Sequence, residues 1–479
     1  MATKMIFTVL ALLPLWWLNG CAAVGPDYRT PETAVPAGWS AFLADGVETR
    51  AVRDETLAAW WRQLDDPILA ELIDRAALGN LDLRQAESRL RQARAERGGE
   101  WSRHFPSVNA SGSYSRSRTG SGSSAELFQA GLDAAWEIDV FGGTRRAVEA
   151  ADAGIGASEA DLRDVLVSLL AEVALNYIDL RSIQAQLAVA TDNLAIQGDS
   201  WQLTQWRAEA GLVSVLDVEQ ARYALEQTRA QVPSLHTALS KAQNTLAVLL
   251  ALPPGTLNSL LDETGSVPLP PEDITIGLPA EMLRRRPDVR RAERQLAAQT
   301  ARVGVVTADL YPKITLPGSI GFEALSFGSL LDSNSSRARI APGFSWNIFD
   351  AGRIRSNIEV QNALQEQALL RYEEAVLTAL QEVEDALVAF ADERQRLEAL
   401  TTAAAAAERA TELAEQQYAS GLVDFQVVIE SQRSRLNLQS QQVSSEGQVT
   451  ANLVRLYKSL GGGWEPLSRT LSNEEGVTP

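Results

Sequence analysis

Catalysis and metal binding need clustered donor groups, and this chain supplies few of them. His104 and His236 are its two histidines and Cys21 its one cysteine. A tetrahedral metal site gathers about four ligands, usually in closely spaced pairs, and neither histidine has another histidine or the cysteine one helical turn away. Gly142-Gly143 and Gly461 to Gly463 are glycine-rich, but a phosphate-cradling loop also requires a lysine and a strand-loop-helix setting, which both lack. Glu382, Glu384 and Asp385 would have to act as paired acids and bases from within a long helical stretch, where such triplets face solvent. The expectation is a protein that is not an enzyme and holds no metal or other cofactor. The 43 basic and 61 acidic residues leave a formal net charge of −18. With no basic patch, that balance argues against a nucleic-acid partner.

Cys21 is the residue whose surroundings specify a reaction. Lys4 precedes an apolar run from Met5 to Leu18 that falls short of the ~20 residues of a membrane-spanning helix and reads as a secretory signal. Leu18-Asn19-Gly20-Cys21 then resembles a bacterial lipobox, in which cleavage leaves the cysteine as a lipidated first residue. Asn19 stands where a small or apolar residue is usual. Ala22, rather than aspartate, follows the cysteine, which in lipoproteins of this type favours the outer membrane. No later stretch has the length and apolarity of a transmembrane helix.

The rest of the chain is a scaffold written twice. Leu166, Val173, Leu180, Leu187, Leu194 and Trp201 lie seven apart, the period of a long helix packed lengthwise on other helices. Shifted by 210 positions, the ladder returns as Val376, Val383, Phe390 and Leu397, then weaker at Ala404 and Thr411. Four other landmarks recur in the same order: DLRQAESRL from Asp82 with DVRRAERQL from Asp288, Phe105-Pro106 with Tyr311-Pro312, Trp136-Glu137-Ile138 with Trp346-Asn347-Ile348, and Gly211-Leu212-Val213 with Gly421-Leu422-Val423. The chain therefore reads as an internal duplication of one large unit, longer than solenoid repeats of about 20–50 residues.

Each copy has the same order. A helix from Pro67 past Arg94 carries a stripe of Leu69, Leu72, Ile73, Leu83 and Leu90. After Phe105-Pro106 the period changes to two: Val108, Ala110, Gly112 and Tyr114 alternate with serines and Asn109, and Phe128 to Ile138 alternate likewise, giving a β-hairpin at 107–138 with one apolar and one polar face. A helix of roughly 65 residues follows, about 100 Å long at 1.5 Å per residue. It turns at Gly211 to Ser214 and returns through Val218, Leu225, Val232, Leu239 and Leu246. The second copy gives a hairpin at 313–348, in which Pro317 and Pro342 cannot donate to a ladder, a second long helix, a turn at Gly421 to Asp424 and a returning helix.

The boundaries are a signal at 1–20, an extended segment at 21–66, a first repeat at 67–260, a Pro-rich linker at 261–280, a second repeat at 281–460 and a tail at 461–479. The strands allow two readings: a soluble sheet covered on one face by helices, or, given their length of ~10 residues and aromatic ends, part of a membrane barrel. Four strands cannot close a barrel, since the smallest have about eight, and an open edge in lipid leaves backbone groups unpaired. A membrane sheet of this kind requires several chains.

The lipobox, Val24-Gly25-Pro26-Asp27-Tyr28, Trp60-Trp61, the duplicated Asp-Leu/Val-Arg-x-Ala-Glu element, the two Gly-Leu-Val turns and Ile429-Glu430-Ser431-Gln432-Arg433 together resemble the TolC-like outer-membrane efflux factors, in the OprM/NodT lipoprotein branch. The resemblance runs from about Cys21 to Trp464. It implies a mainly α fold with paired membrane β-hairpins, assembled as a homotrimer whose twelve-stranded β-barrel continues into a long periplasmic α-helical barrel. It implies a lipid on Cys21, an exit duct served by an inner-membrane RND-type transporter, and a periplasmic adaptor docking at Gly211, Leu212, Val213 and Ser214 and at Gly421, Leu422, Val423 and Asp424. It also places a periplasmic gate at Glu430 and Arg433, with glutamate where the family has aspartate. The alternatives are a periplasmic membrane-fusion adaptor, whose helical hairpin is normally single, and a lipid-anchored structural coiled coil, which leaves the strands unexplained.

Overall fold

A computed structural model describes residues 23–32, 35–40, 47–49, 57–118, 120, 124–263, 265–271 and 274–464. The signal and Cys21 lie outside them. The described residues fall into two compact units. One draws on Met1–Thr33, Ser88–Ala160 and Arg290–Ala375, and the other on Ala34–Glu87, Asp161–Val289 and Val376–Pro479.

Pro67 opens α1 (Pro67–Gly79), and the Asp66 side chain accepts from the amides of Ile68 and Leu69 at 2.9 Å each, satisfying donors that a helix start leaves free. Leu69, Leu72, Ile73 and Ala76 are its buried stripe. The single helix expected from Pro67 past Arg94 is two. Asn80 interrupts it, because its carboxamide oxygen caps the amides of Asp82 and Leu83 at 2.8 and 3.0 Å while its nitrogen donates to the Leu249 carbonyl at 2.8 Å. The second piece is α2 (Leu81–Ser102).

The strands β2 (Ser107–Arg118) and β3 (Ser124–Ile138) follow the short β1 (Val47–Thr49) in the chain. The first long helix, α3 (Gly143–Glu209), has 67 residues and its return, α4 (Val215–Leu249), has 35. A short α5 (Asn258–Leu261), β4 (Ile274–Ile276) and α6 (Pro279–Arg285) fill the linker, where β4 pairs in parallel with β1. Then come α7 (Pro287–Thr307), β5 (Lys313–Ala324), β6 (Ser336–Ile340) and β7 (Gly343–Ser345). The second long helix, α8 (Arg353–Ala419), again has 67 residues and its return, α9 (Phe425–Ser459), again 35. Gly143 and Arg353, like Val215 and Phe425, stand 210 positions apart. The heptad ladder is buried where it is most apolar, at Leu166, Val173, Leu180, Val376, Val383 and Phe390.

In the first unit the sheet is antiparallel in the order β2-β3-β5-β6, with β7 also on β5. Its register aligns the alternation across strands. Ala110, Leu132, Ile320 and Ala338 face one another in one row, Tyr114 meets Phe128, and Ile138, Ile314 and Phe344 share another row, so a single apolar face runs across the sheet. The opposite face is polar. Ser111 Oγ donates to Asp133 at 2.6 Å, and Ser113, Gln129 and Glu323 form a chain at 3.0 and 3.2 Å. The last strand differs from the continuous segment expected up to Ile348. Pro342 splits it into β6 and β7, having no amide to donate, and residues 346–348 form no strand. Pro317 is accommodated within β5 opposite Ala135, its carbonyl accepting from the Ala341 amide at 3.0 Å.

In the second unit Trp60 stacks on Tyr457 at 5.8 Å, and Arg286, buried, is gripped by both oxygens of Asp288, by Glu382 at 2.6 Å and by the Ser459 carbonyl at 3.0 Å. Burial works against the Arg286 charge, but Asp288 and Glu382 more than offset it and hold its pKa above the ordinary value. The tail expected from Gly461 is packed at its start, where the Arg163 guanidinium covers the Trp464 ring at 4.8 Å. Residues 465–479 lie outside the described set.

Candidate functional site

Both helical hairpins turn by the same device. Gly211 and Gly421 take φ of +71° and +73°, a left-handed conformation suited to glycine. The next amides, of Leu212 and Leu422, reach back to the carbonyls of Arg207 and Gln417 at 2.8 and 2.9 Å, a closing bond that satisfies the helix end. The restarts differ. Ser214 caps α4 through a reciprocal pair with Asp217, whereas the Asp424 side chain makes no capping bond to α9.

The two turns share one core, built from Ala221, Ala414, Tyr418, Phe425, Val428 and Ile429, with Trp201, Val213 and Val423 against it. Arg207 closes it, donating to the Tyr418 carbonyl at 2.8 Å with its guanidinium 4.5 Å from the Tyr418 ring centre. Val213 and Val423 thus pack inward, while Leu212 and Leu422 stand 68% and 76% exposed. Gly211 to Ser214 and Gly421 to Asp424 are brought together as a tip with apolar points.

Glu430 and Arg433 lie on α9 one to two turns beyond. Arg433 Nη1 is 3.9 Å from Glu430 Oε2, and both side chains are more than half exposed, so the pair itself adds little stability. They line a polar groove of about 500 Å³ with Gln197, Gln227, Thr228 and Gln231. Among the groove's residues they are the charged ones. Beside them Gln432 is buried and donates to Ser200 Oγ at 2.7 Å and Glu415 Oε1 at 2.8 Å. Neither this tie nor Arg207 left a mark in the sequence pattern, because each joins a polar side chain to a partner set only by how the helices pack.

A second site concerns the strap that follows Cys21. The Val24 amide donates to the Phe141 carbonyl at 3.1 Å, and buried Arg146 donates to the Val24 carbonyl at 3.0 Å and to Asp27 Oδ1 at 2.7 Å. That hydrogen bond and the Arg146 charge hold the Asp27 carboxyl below the usual carboxylate range. Tyr28 donates to Glu293 at 3.0 Å, and burial pushes its phenol up to about 12. Gly25, at φ +93°, lies flat on Gly304. Below the sheet, Trp136 and Trp346 donate from their indoles to the carbonyls of His104 and Leu310, each at 2.9 Å. These carbonyls precede Phe105-Pro106 and Tyr311-Pro312, so each hairpin has a tryptophan, Trp136 at the end of β3 and Trp346 just past β7, fastened to its own start. Among the described residues no helix is long and apolar enough to cross a membrane.

The family model for outer membrane efflux protein matches residues 72–252 and 278–462. The toluene efflux pump outer membrane protein TtgF of Pseudomonas putida is 31% identical over 466 residues, spanning 94% of this chain and 96% of the relative. The probable outer membrane lipoprotein SilC of Salmonella typhimurium is 29% identical over 465 residues, spanning 95% and 98%. Among solved structures, the outer-membrane channel OprN superposes with a TM-score of 0.87 at 37% identity, covering 93% of this chain and 100% of that one.

Proposed function

The chain belongs to the outer membrane efflux protein family, and from that premise we propose how it works. It is the outer-membrane exit channel of an efflux pump, passively conducting solutes that an inner-membrane transporter and a periplasmic adaptor deliver. The observation that carries this reading is the sheet, whose apolar face is continuous across four strand positions and whose edges at β2 and β6 are both open. In lipid those edges must be paired. Three chains closing edge to edge make twelve strands, apolar outside and polar within. The equal lengths and spacing of the two helix pairs support descent of the two halves from one duplicated unit.

In this assembly Cys21 carries the lipid. The strap from Ala23 onward is tied to the first unit through Val24 and Phe141, and Trp136 and Trp346 suit the membrane boundary, where such rings gather. The exposed Leu212 and Leu422 offer the adaptor apolar knobs. Glu430, repeated around a three-fold axis, crowds like charges at the periplasmic mouth, with Arg433 as partial counter-charge. No chemistry or energy source of its own is needed for a conduit. The decisive test is electron microscopy of the mature protein extracted in detergent from outer membranes. Three-fold particles with a hollow helical shaft about 100 Å long, the length set by the helix rise, are expected. Release without detergent, or particles lacking a continuous lumen, refutes the reading.

A further inference from the structure

The polar face of the sheet carries two guanidinium groups that nothing on it neutralises at close range. Arg337 and Arg339 lie on β6, opposite Gly321 and Ser319 of β5. Those residues in turn face Gly131 and Asp133 on β3, and Ser111 and Asn109 on β2. The rows Ser111-Gly131-Gly321-Arg337 and Asn109-Asp133-Ser319-Arg339 therefore put both arginines on the face of the Ser111–Asp133 and Ser113–Gln129–Glu323 hydrogen bonds. Both are exposed, and neither makes a hydrogen bond or ion pair among the described residues.

The charged groups facing them do not close on them. Asp133 is level with Arg339 but two strands away, about 9–10 Å at the usual strand spacing, and accepts from Ser111. Glu323 is a diagonal neighbour of Arg337, at about 7–8 Å between backbones, and accepts from Gln129. Toward the base, Lys313 pairs with Asp309 at 3.0 Å. On the other side β6 is the sheet edge, and in a closed barrel it meets β2 of the next chain. The residues of β2 on this face are Ser107, Asn109, Ser111, Ser113, Ser115 and Ser117. No carboxylate comes across the seam at any register that keeps the polar face inward.

We propose that Arg337 and Arg339 form a guanidinium belt in the barrel lumen, two per chain and six in a trimer, that binds anionic groups in transit: carboxylate, phosphate or sulfonate. This rests on the trimeric duct. In a chain of net charge −18 an unpaired arginine pair inside a membrane barrel lowers the barrier to anions, as charged rings do in pores. The planar fork of each guanidinium matches the oxygens of such groups.

The test is planar-bilayer recording of the current passed by the resting trimer under a KCl gradient, with inorganic pyrophosphate added on the extracellular side as probe. Wild type is expected to show voltage-dependent block by pyrophosphate. Arg337→Gln with Arg339→Gln is expected to abolish that block and to lower the chloride-to-potassium permeability ratio several-fold. Arg337→Lys with Arg339→Lys retains the charge without the fork, so it keeps the ratio and weakens the block. Three-fold conducting particles with the same ratio and the same block in wild type and the glutamine variant overturn the belt alone. Absence of both three-fold particles and conductance ends the duct reading and the belt with it.

Discussion

Replacing Gly25 by alanine tests how the strap behind Cys21 is held. At φ +93° an L side chain is strained, and its Cβ would press into the Gly304 backbone, 3.1 Å from the amide nitrogen and closer still to Cα. Gly304 is held by the backbone of α7, and its own Cβ direction is filled by Arg146 and the Val24 carbonyl, so the strap lies directly on the helix backbone with no side chain between them. The chain relieves the overlap by lifting the strap. That forfeits the Val24–Phe141 bond, Arg146 to Val24, and Tyr28 to Glu293. A neutral hydrogen bond contributes about 1 kcal/mol and one to a charged group about 1.5–3, so docking is held by roughly 4–7 kcal/mol, with nothing counted for exposed Asp27. Since 1.4 kcal/mol is about tenfold, the Val24 amide is protected about a thousandfold or more. Hydrogen exchange read by mass spectrometry should show Gly25→Ala losing at least about a hundredfold of that protection with the strand and helix amides unchanged. Gly38→Ala, with open space around it, is the control. Equal exchange at Val24 in wild type and Gly25→Ala refutes the docking argument.

Two further outcomes follow from the geometry. Burial raises the Tyr457 phenol to about 12 from an ordinary 10.0. A group raised on folding contributes stability that is complete below pH 10 and lost as pH climbs through about 12, so Tyr457→Phe should move the alkaline unfolding midpoint upward, and an unmoved midpoint counts against the assignment. At the periplasmic end, Glu430→Ala with Arg433→Ala should let large antibiotics leak through the closed channel with assembly intact. Unchanged permeability in normally assembled trimers sinks the gate.

Much of the architecture was legible because it depends on period. The heptads located both long helices, and the strict alternation of Phe128 to Ile138 gave a strand of the right face. What escaped were side chains that bond to distant backbone. Asn80 ends one helix and starts another because its carboxamide also reaches Leu249, a partner 169 positions on that no local pattern contains. Arg207 at Tyr418 is of the same kind. Pro342 was visible as a risk, but whether it bends a strand or divides it depended on pairing with β5. At the tip, glycine, leucine and valine announced a turn in both helical hairpins, and only packing separated the inward valines from the outward leucines.

The two turns are held by different forces, and this bears on which of them opens. The α4 start is locally secured, by a Ser214–Asp217 capping pair that contributes about 1 kcal/mol, while Val215 and Leu216 lie exposed. The α9 start lacks a side-chain cap but buries Phe425 to 3% and Val428 to 1%, and burying one such side chain contributes about 1.5–3 kcal/mol. Its anchoring is stronger yet borrowed, because the covering atoms come from Ala221 and Ala414 as well as Tyr418. Any motion that parts the helices removes the second anchor and leaves the first. Phe425→Ala imitates that parting, at about 3–5 kcal/mol for a buried aromatic truncated in place. The amides of Val427 to Ser431 should then exchange faster while those of Asp217 to Ala221 keep their rate. If both helix starts loosen equally, the cap does not hold the first turn independently, and the hairpin carrying Glu430 and Arg433 has no special claim to be the one that moves.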